Sequence, residues 1–205
     1  MINMKMIEQI ELKSGLSPNK IWFTSDTHFY HNKVVEYSQR PFASVEEMNE
    51  ELIARWNSVV HRDGIVFHLG DFCFGPPDNW NYILYRLKGR IFLVLGNHDA
   101  GHISEEVAAR FEGVAFQMRL NVNGQKIYLN HFPFLSYSGD NHGTWQLFGH
   151  IHSNQQSSNI IDKHRLTILQ PEQYDVGVDK NNFIPVSYRQ IEQIIERRKN
   201  EEDIT

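Results

Sequence analysis

Three short apolar runs constrain the fold most: IWFTSD (21–26), DGIVFHLGD (63–71) and RIFLVLG (90–96). Each is too short for a helix and ends in polar or glycine residues, as buried strands do. Helix-length amphipathic stretches separate them. SVEEMNEELIARWNSVV (44–60) spaces Val45, Met48, Leu52, Trp56, Val59 and Val60 near the helical period, and Ser44 with Glu47 forms a capping box. PPDNWNYILYRLKG (76–89) and SEEVAARFEG (104–113) predict two more helices, closed by Gly89 and Gly113. This alternation predicts a parallel sheet with right-handed crossovers.

The pattern then changes. AFQMRLNVNGQKIYLNH (115–131) predicts two strands joined at Asn123-Gly124, a hairpin signal. TWQLFGHIH (144–152) predicts a further strand, SNQQSSN (153–159) a solvated loop, and YDVGVD (174–179) a late strand. SYRQIEQIIERRKN (187–200) predicts a final helix opened by Ser187 and Gln190. A length of 205 residues suits one domain over 1–205, in which residues 1–19 precede the first motif strand and receive no assignment.

Composition narrows the function. With 22% charged residues and a formal charge of −5, the chain lacks a basic nucleic-acid footprint. That weighs against a duplex-binding protein but not against an enzyme that cuts nucleotides. The single cysteine, Cys73, cannot form an internal disulfide, which fits a reducing compartment. No stretch has the length of a membrane span, and the first 15 residues lack the apolar block of a signal peptide. A cytoplasmic protein is expected.

The polar residues after each apolar run carry the chemistry. Asp26-Thr27-His28 follows the first run, Gly70-Asp71 the second and Gly96-Asn97-His98-Asp99 the third. His131 ends the hairpin, and Gly149-His150-Ile151-His152 ends the next strand. In open α/β sheets ligands gather beyond the carboxyl ends of the strands, so these side chains face a common crevice. Asp, His and Asn are donors for a divalent transition metal of borderline hardness. Seven of them, Asp26, His28, Asp71, Asn97, His131, His150 and His152, suit two ions that share one carboxylate. Two dications outweigh two carboxylates and a hydroxide, so an acidic chain still presents an anion site. Turn formation explains Asp26 or Asn97 singly but not three histidines.

In order, Asp26-x-His28, Gly70-Asp71, Gly96-Asn97-His98-Asp99, His131 and Gly149-His150-x-His152 resemble the motifs of the calcineurin-like metallophosphoesterase family. The resemblance spans residues 20–152. It implies an α/β fold, a four-layer α/β/β/α sandwich of two mixed sheets flanked by helices. It also implies two divalent ions, Mn first, with Fe, Zn, Ni or Co as alternatives. Asp26, His28 and His152 would hold one ion, Asn97, His131 and His150 the other, and Asp71 would bridge. His98 would bind the phosphoryl group without ligating metal, and Asp99 would orient the His98 ring.

The expected reaction is direct attack of a metal-bridging hydroxide on a small, nucleotide-like phosphodiester, without a phosphoenzyme. Little of the chain is left for a capping domain, which favours a compact substrate. A phosphomonoesterase and a nuclease use the same site chemistry, and a non-catalytic scaffold of the same fold is the alternative from another class. The remaining histidines divide: His68 reads as a core residue, His61, His142 and His164 as surface, and His31 and His102 as candidates for substrate contact. FYHNKVVEYSQRPF (29–42) is either a surface connection or a substrate wall that places Arg40 on phosphate. Cys73, Trp145 and Phe148 are expected in the core. Oligomeric state stays open.

Overall fold

The computed structural model describes residues 7–12, 16–153 and 166–202. Its strands are β1 (Ile7–Leu12), β2 (Ile21–Thr24), β3 (Ile65–His68), β4 (Arg90–Val94) and β5 (Gly113–Val122). They continue with β6 (Gln125–Asn130), β7 (Trp145–Phe148), β8 (Gln173–Asp175) and β9 (Val186–Ser187). The helices are α1 (Asn32–Tyr37), α2 (Val45–Val59), α3 (Pro77–Arg86), α4 (Glu105–Ala108) and α5 (Tyr188–Glu202).

Strands β2 to β5 are mutually parallel, as the strand–helix alternation requires. The chain then reverses through Asn123 and Gly124, whose φ of +52° and +93° fit a tight hairpin turn. Strand β6 pairs antiparallel with β5, and β7 and β8 follow in parallel. The expected sandwich has two sheets, whereas hydrogen bonds here join the nine described strands in one mixed sheet. The length of β5 is the reason. It pairs with β4 through Gly113–Ala115, with β1 from Ala115 to Leu120 and with β6 from Gln117 to Val122. Its buried positions change parity between Ala115 and Met118, so the strand carries the core face from one half of the sheet to the other. The sheet also curls back on itself, because Ser25 just after β2 bridges Gly177 just after β8.

Two apolar layers hold the fold. Between the halves lie Phe23, Phe67, Val94, Met118, Leu129 and Leu147, together with Ile191 and Ile195 of α5. On the opposite face of β2–β4, Trp22, Val66 and Leu93 pack with Met48, Leu52 and Trp56 of α2 and Trp80 and Ile83 of α3. Alternate residues of β2 and β3 therefore meet apolar neighbours on both faces, and all four positions of each are buried. The outer face of β7 and β8 differs. There the segment after β6 lies against two buried glutamines. Gln146 accepts from Phe134 N (3.2 Å) and donates to Phe132 O (3.0 Å), and Gln173 donates to Phe134 O (2.8 Å).

Most boundaries follow local chemistry. The Ser44 side chain accepts from Glu47 N at 3.2 Å, capping α2, and Ser187 and Gln190 bond reciprocally at the start of α5. Helix α3 stops at Arg86, short of Gly89, which instead takes φ +92° in the turn into β4. Helix α4 spans four residues where ten are expected, and Gly113 begins β5 by pairing with Phe92. Trp145, Phe148 and Cys73 are buried, as expected. Residues 154–159 and His164 lie outside the described residues. None of the described helices is long and apolar enough to cross a membrane.

Phe67 touches both Phe23 (5.6 Å between ring centroids) and Phe92 (5.1 Å) and is fully buried. Phe67→Ala is expected to lower stability by about 3–5 kcal/mol in urea unfolding. A loss under about 1 kcal/mol would mean that this layer does not hold the halves together.

Candidate metal centre at the carboxyl edge of the sheet

Every motif follows the carboxyl end of a strand, and the curl of the sheet brings the ends of β6 and β7, which run against β2–β5, to the ends of β3 and β2. Asp26 and His28 follow β2, Asp71 follows β3, Asn97 follows β4, His131 follows β6, and His150 and His152 follow β7. Five of the seven take a left-handed backbone: Asp26 (φ +57°), His28 (+49°), Asp71 (+56°), His150 (+72°) and His152 (+49°). Such conformations cost roughly 1–2 kcal/mol per residue and persist only when neighbours enforce them. Backbone bonds do so here: Asp26 N donates to Gly70 O (2.9 Å), His28 N to Asp71 O (3.0 Å) and Gly149 N to His131 O (3.0 Å). Glycine is required where carboxylates come closest. A Cβ on Gly96 would overlap Asp71 Oδ1, and one on Gly149 would overlap Asp26 Oδ2.

The donors fall into two groups. Asp26, His28 and His152 offer ligand atoms all within 4.8 Å of one another, and so do Asp71, His131 and His150. Asp71 stands between them, with Oδ2 3.6 Å from His28 Nε2 and 3.5 Å from His131 Nε2. Asn97 Oδ1 lies 3.0 Å from His131 Nε2.

Two of the rings have an acceptor on their far side. His131 Nδ1 is 2.7 Å from Leu69 O, which only accepts, so that nitrogen carries the proton and Nε2 presents a lone pair. His152 Nδ1 is 2.8 Å from Asp179 Oδ2, leaving its Nε2 3.2 Å from His28 Nε2. Burial and the neighbouring His152 and Arg40 charges hold the His28 pKa well below its usual value. The Nε2 lone pair of His131 thus converges with the carboxylates of Asp26 and Asp71 and the remaining imidazoles, a nitrogen and oxygen set that divalent cations of borderline hardness fit.

His98 belongs to neither group. Its ring lies 5.6 Å from His28, half-buried, and its backbone N donates to Asp71 Oδ1 at 2.9 Å. Asp99 departs from expectation. Rather than the His98 ring, its buried carboxylate takes three backbone N–H groups: Asp71 (2.6 Å), Phe72 (2.9 Å) and Gly96 (2.9 Å). It clamps the exits of β3 and β4 together. Burial raises its pKa to about 6 despite these bonds.

Arg40 is also corrected. It is buried and committed to Asp179 (2.9 and 2.8 Å), Thr27 O (3.0 Å) and Asp26 O (2.6 Å), so it does not face a substrate phosphate. His31 does reach the rim. It stacks on Phe74 at 4.1 Å and 8°, and Tyr37 Oη lies 3.1 Å from its Nδ1. His102, His61 and His142 are exposed.

Two contributors escaped the sequence. Asp179 ends YDVGVD, so the rule that polar residues at strand exits carry function would have found it. Burial works against its charge, but Arg40 and the His152 hydrogen bond hold its pKa down to about 2. Phe74 sits among apolar residues after Asp71 and carries no such signal.

The chain belongs to the calcineurin-like phosphoesterase family, whose model matches residues 19–195. It is 34% identical to an uncharacterized protein of Methanocaldococcus jannaschii over 186 residues, covering 90% of this chain and 96% of that one. It is 32% identical to the Gene 66 protein of Mycobacterium phage L5 over 183 residues, covering 77% and 86%. In fold it resembles the crystal structure of an Aquifex aeolicus protein of unknown function. That match has a TM-score of 0.65 and 24% identity, covering 85% of this chain and 98% of that one.

Behind the site, His68 Nε2 is 2.9 Å from Thr27 Oγ1 and its Nδ1 has no partner. Burial lowers its pKa to about 3, so the folded chain keeps it neutral where the unfolded chain, at the ordinary 6.5, takes up a proton. Stability from this group is full above pH 6.5 and falls as pH drops toward 3. Between pH 7 and pH 4.5 the loss is about 2–3 kcal/mol. His68→Gln is expected to lose correspondingly less over the same interval in urea unfolding. Equal losses in the two proteins would contradict this.

Proposed function

We propose that the protein is a two-metal phosphodiesterase acting on a small, nucleotide-like phosphodiester. The observation that carries this is the position of Asp71, one carboxylate oxygen about equally far from an imidazole of each donor group. Asp26, His28 and His152 hold one ion, Asn97, His131 and His150 the other, and Asp71 reaches both. Two divalent ions, Mn foremost and Fe, Zn, Ni or Co as substitutes, supply Lewis acidity and an activated water when bound. His98, anchored through its backbone on Asp71, donates to the phosphoryl group and assists the leaving oxygen. Asp99 keeps His98 in place through the turn it clamps. The stacked His31–Phe74 pair offers an edge for a base or aryl group.

Several observations support the narrower choices. The acidic composition favours a small substrate over a nucleic-acid duplex, and a full donor set gives a scaffold no use for it. A single cysteine fits a cytoplasmic setting. The two halves of the curled sheet would serve as the two inner layers of the family's four-layer sandwich.

Metal-stripped protein is expected to hydrolyse bis-p-nitrophenyl phosphate only after Mn²⁺ is added. Hydrolysis that is indifferent to metal would contradict the proposal, and hydrolysis of monoesters alone would replace it with a phosphomonoesterase. Asp71→Asn is expected to lose metal and turnover together. His98→Ala should keep both ions and lose about 10²–10⁴-fold in kcat. Loss of metal from the His98→Ala protein would refute its place outside the ligand set.

A further inference from the structure

The two donor groups are held by different devices. In the second, His131 leans on a neutral backbone carbonyl, Leu69 O, and Asp99 fixes the turns that carry Asp71 and Asn97. In the first, one buried ion pair does both tasks. The Asp179 carboxylate takes the Nδ1 side of His152 at 2.8 Å and two guanidinium N–H groups of Arg40 at 2.9 and 2.8 Å. The same guanidinium donates to Asp26 O and Thr27 O, the carbonyls of the left-handed turn that presents Asp26 and His28. All three donors of the first group therefore hang on this pair, whose side chains are 0% and 1% exposed.

We infer that Asp179, locked by Arg40, is the positioning residue for the ion held by Asp26, His28 and His152, and not for the other ion. The inference rests on the two-metal reading. A carboxylate behind a ligating imidazole fixes the tautomer and ring orientation and raises ligand basicity, and its loss typically weakens metal binding 10–100-fold. Arg40 adds what a lone aspartate would lack. It stabilises the buried charge of Asp179, leaving the carboxylate ionised and the Nδ1 proton on His152. No proton need move, because the pair orients a ligand and does not react.

An ion pair that only stabilised the core would leave the two ions equally affected. The test is Mn²⁺ binding by equilibrium dialysis and calorimetry. Because Asp179→Asn alone strands the Arg40 charge, the double variant Arg40→Gln/Asp179→Asn is measured beside it. The unmutated chain is expected to bind two ions. The double variant is expected to keep one with unchanged affinity and bind the other about 10–100-fold more weakly.

Two ions bound as in the unmutated chain would overturn the inference, and so would equal weakening of both. Fewer than two ions on the unmutated chain would instead defeat the two-metal reading itself. If neither variant folds, nitrogen-15 NMR of the Zn²⁺-loaded, unmutated chain decides. A slowly exchanging proton on His152 Nδ1 is expected, and an unprotonated Nδ1 would overturn the inference.

Discussion

Five strands must present their donors within one to four residues of their ends, and the rest of the site depends on how those turns are held. Five of the seven donors accept a left-handed backbone to make them. At roughly 1–2 kcal/mol each, this is strain comparable with a large part of a domain's net stability. Two buried hubs hold it in place. Asp99 gathers three N–H groups from the exits of β3 and β4, and the Arg40–Asp179 pair gathers the exits of β2 and β7. Asp99 binds backbone alone, whereas the Arg40–Asp179 pair binds two backbone carbonyls and the His152 ring.

The sheet supplies the frame that makes such hubs possible. The apolar residues of β2, β3 and β4 pack on both faces of the sheet, which fixes the strands whose ends carry the motifs. The curl of the sheet then brings the end of β7 beside the end of β2, where His150 N reaches Asp26 at 2.9–3.1 Å. The parity change in β5 lets Ala115 of one half and Met118, Leu120 and Val122 of the other join the same apolar layer. The long hairpin strand and the metal motifs are thus parts of one arrangement, although they are far apart in sequence.

The donor set was legible in the sequence because its signal is local. An apolar run that stops at Asp, Asn or His needs no knowledge of distant contacts to be noticed. Helices α2 and α5 were legible for the same reason, through their Ser–Glu and Ser–Gln caps. Strand β1 was not, since IEQIEL does not alternate strictly between apolar and polar residues and its partner β5 lies far along the chain. Arg40 and Asp99 show the other limit. A charged residue near a motif looks like a substrate contact, and only the fold shows that Arg40 points inward to Asp179, 139 residues away. Phe74 owes its place at the rim to the His31 ring, a pairing that nothing in either neighbourhood announces.

The central claim is that Asp71 links two ions where the carboxyl ends of five strands converge. Crystals grown with Mn²⁺, measured with X-rays at the manganese absorption edge, would test it most directly. The account predicts two anomalous peaks about 3.5–4 Å apart, flanking the Asp71 carboxylate, one beside His28 and His152 and the other beside His131 and His150. A single peak, or two peaks that do not share Asp71, would contradict it.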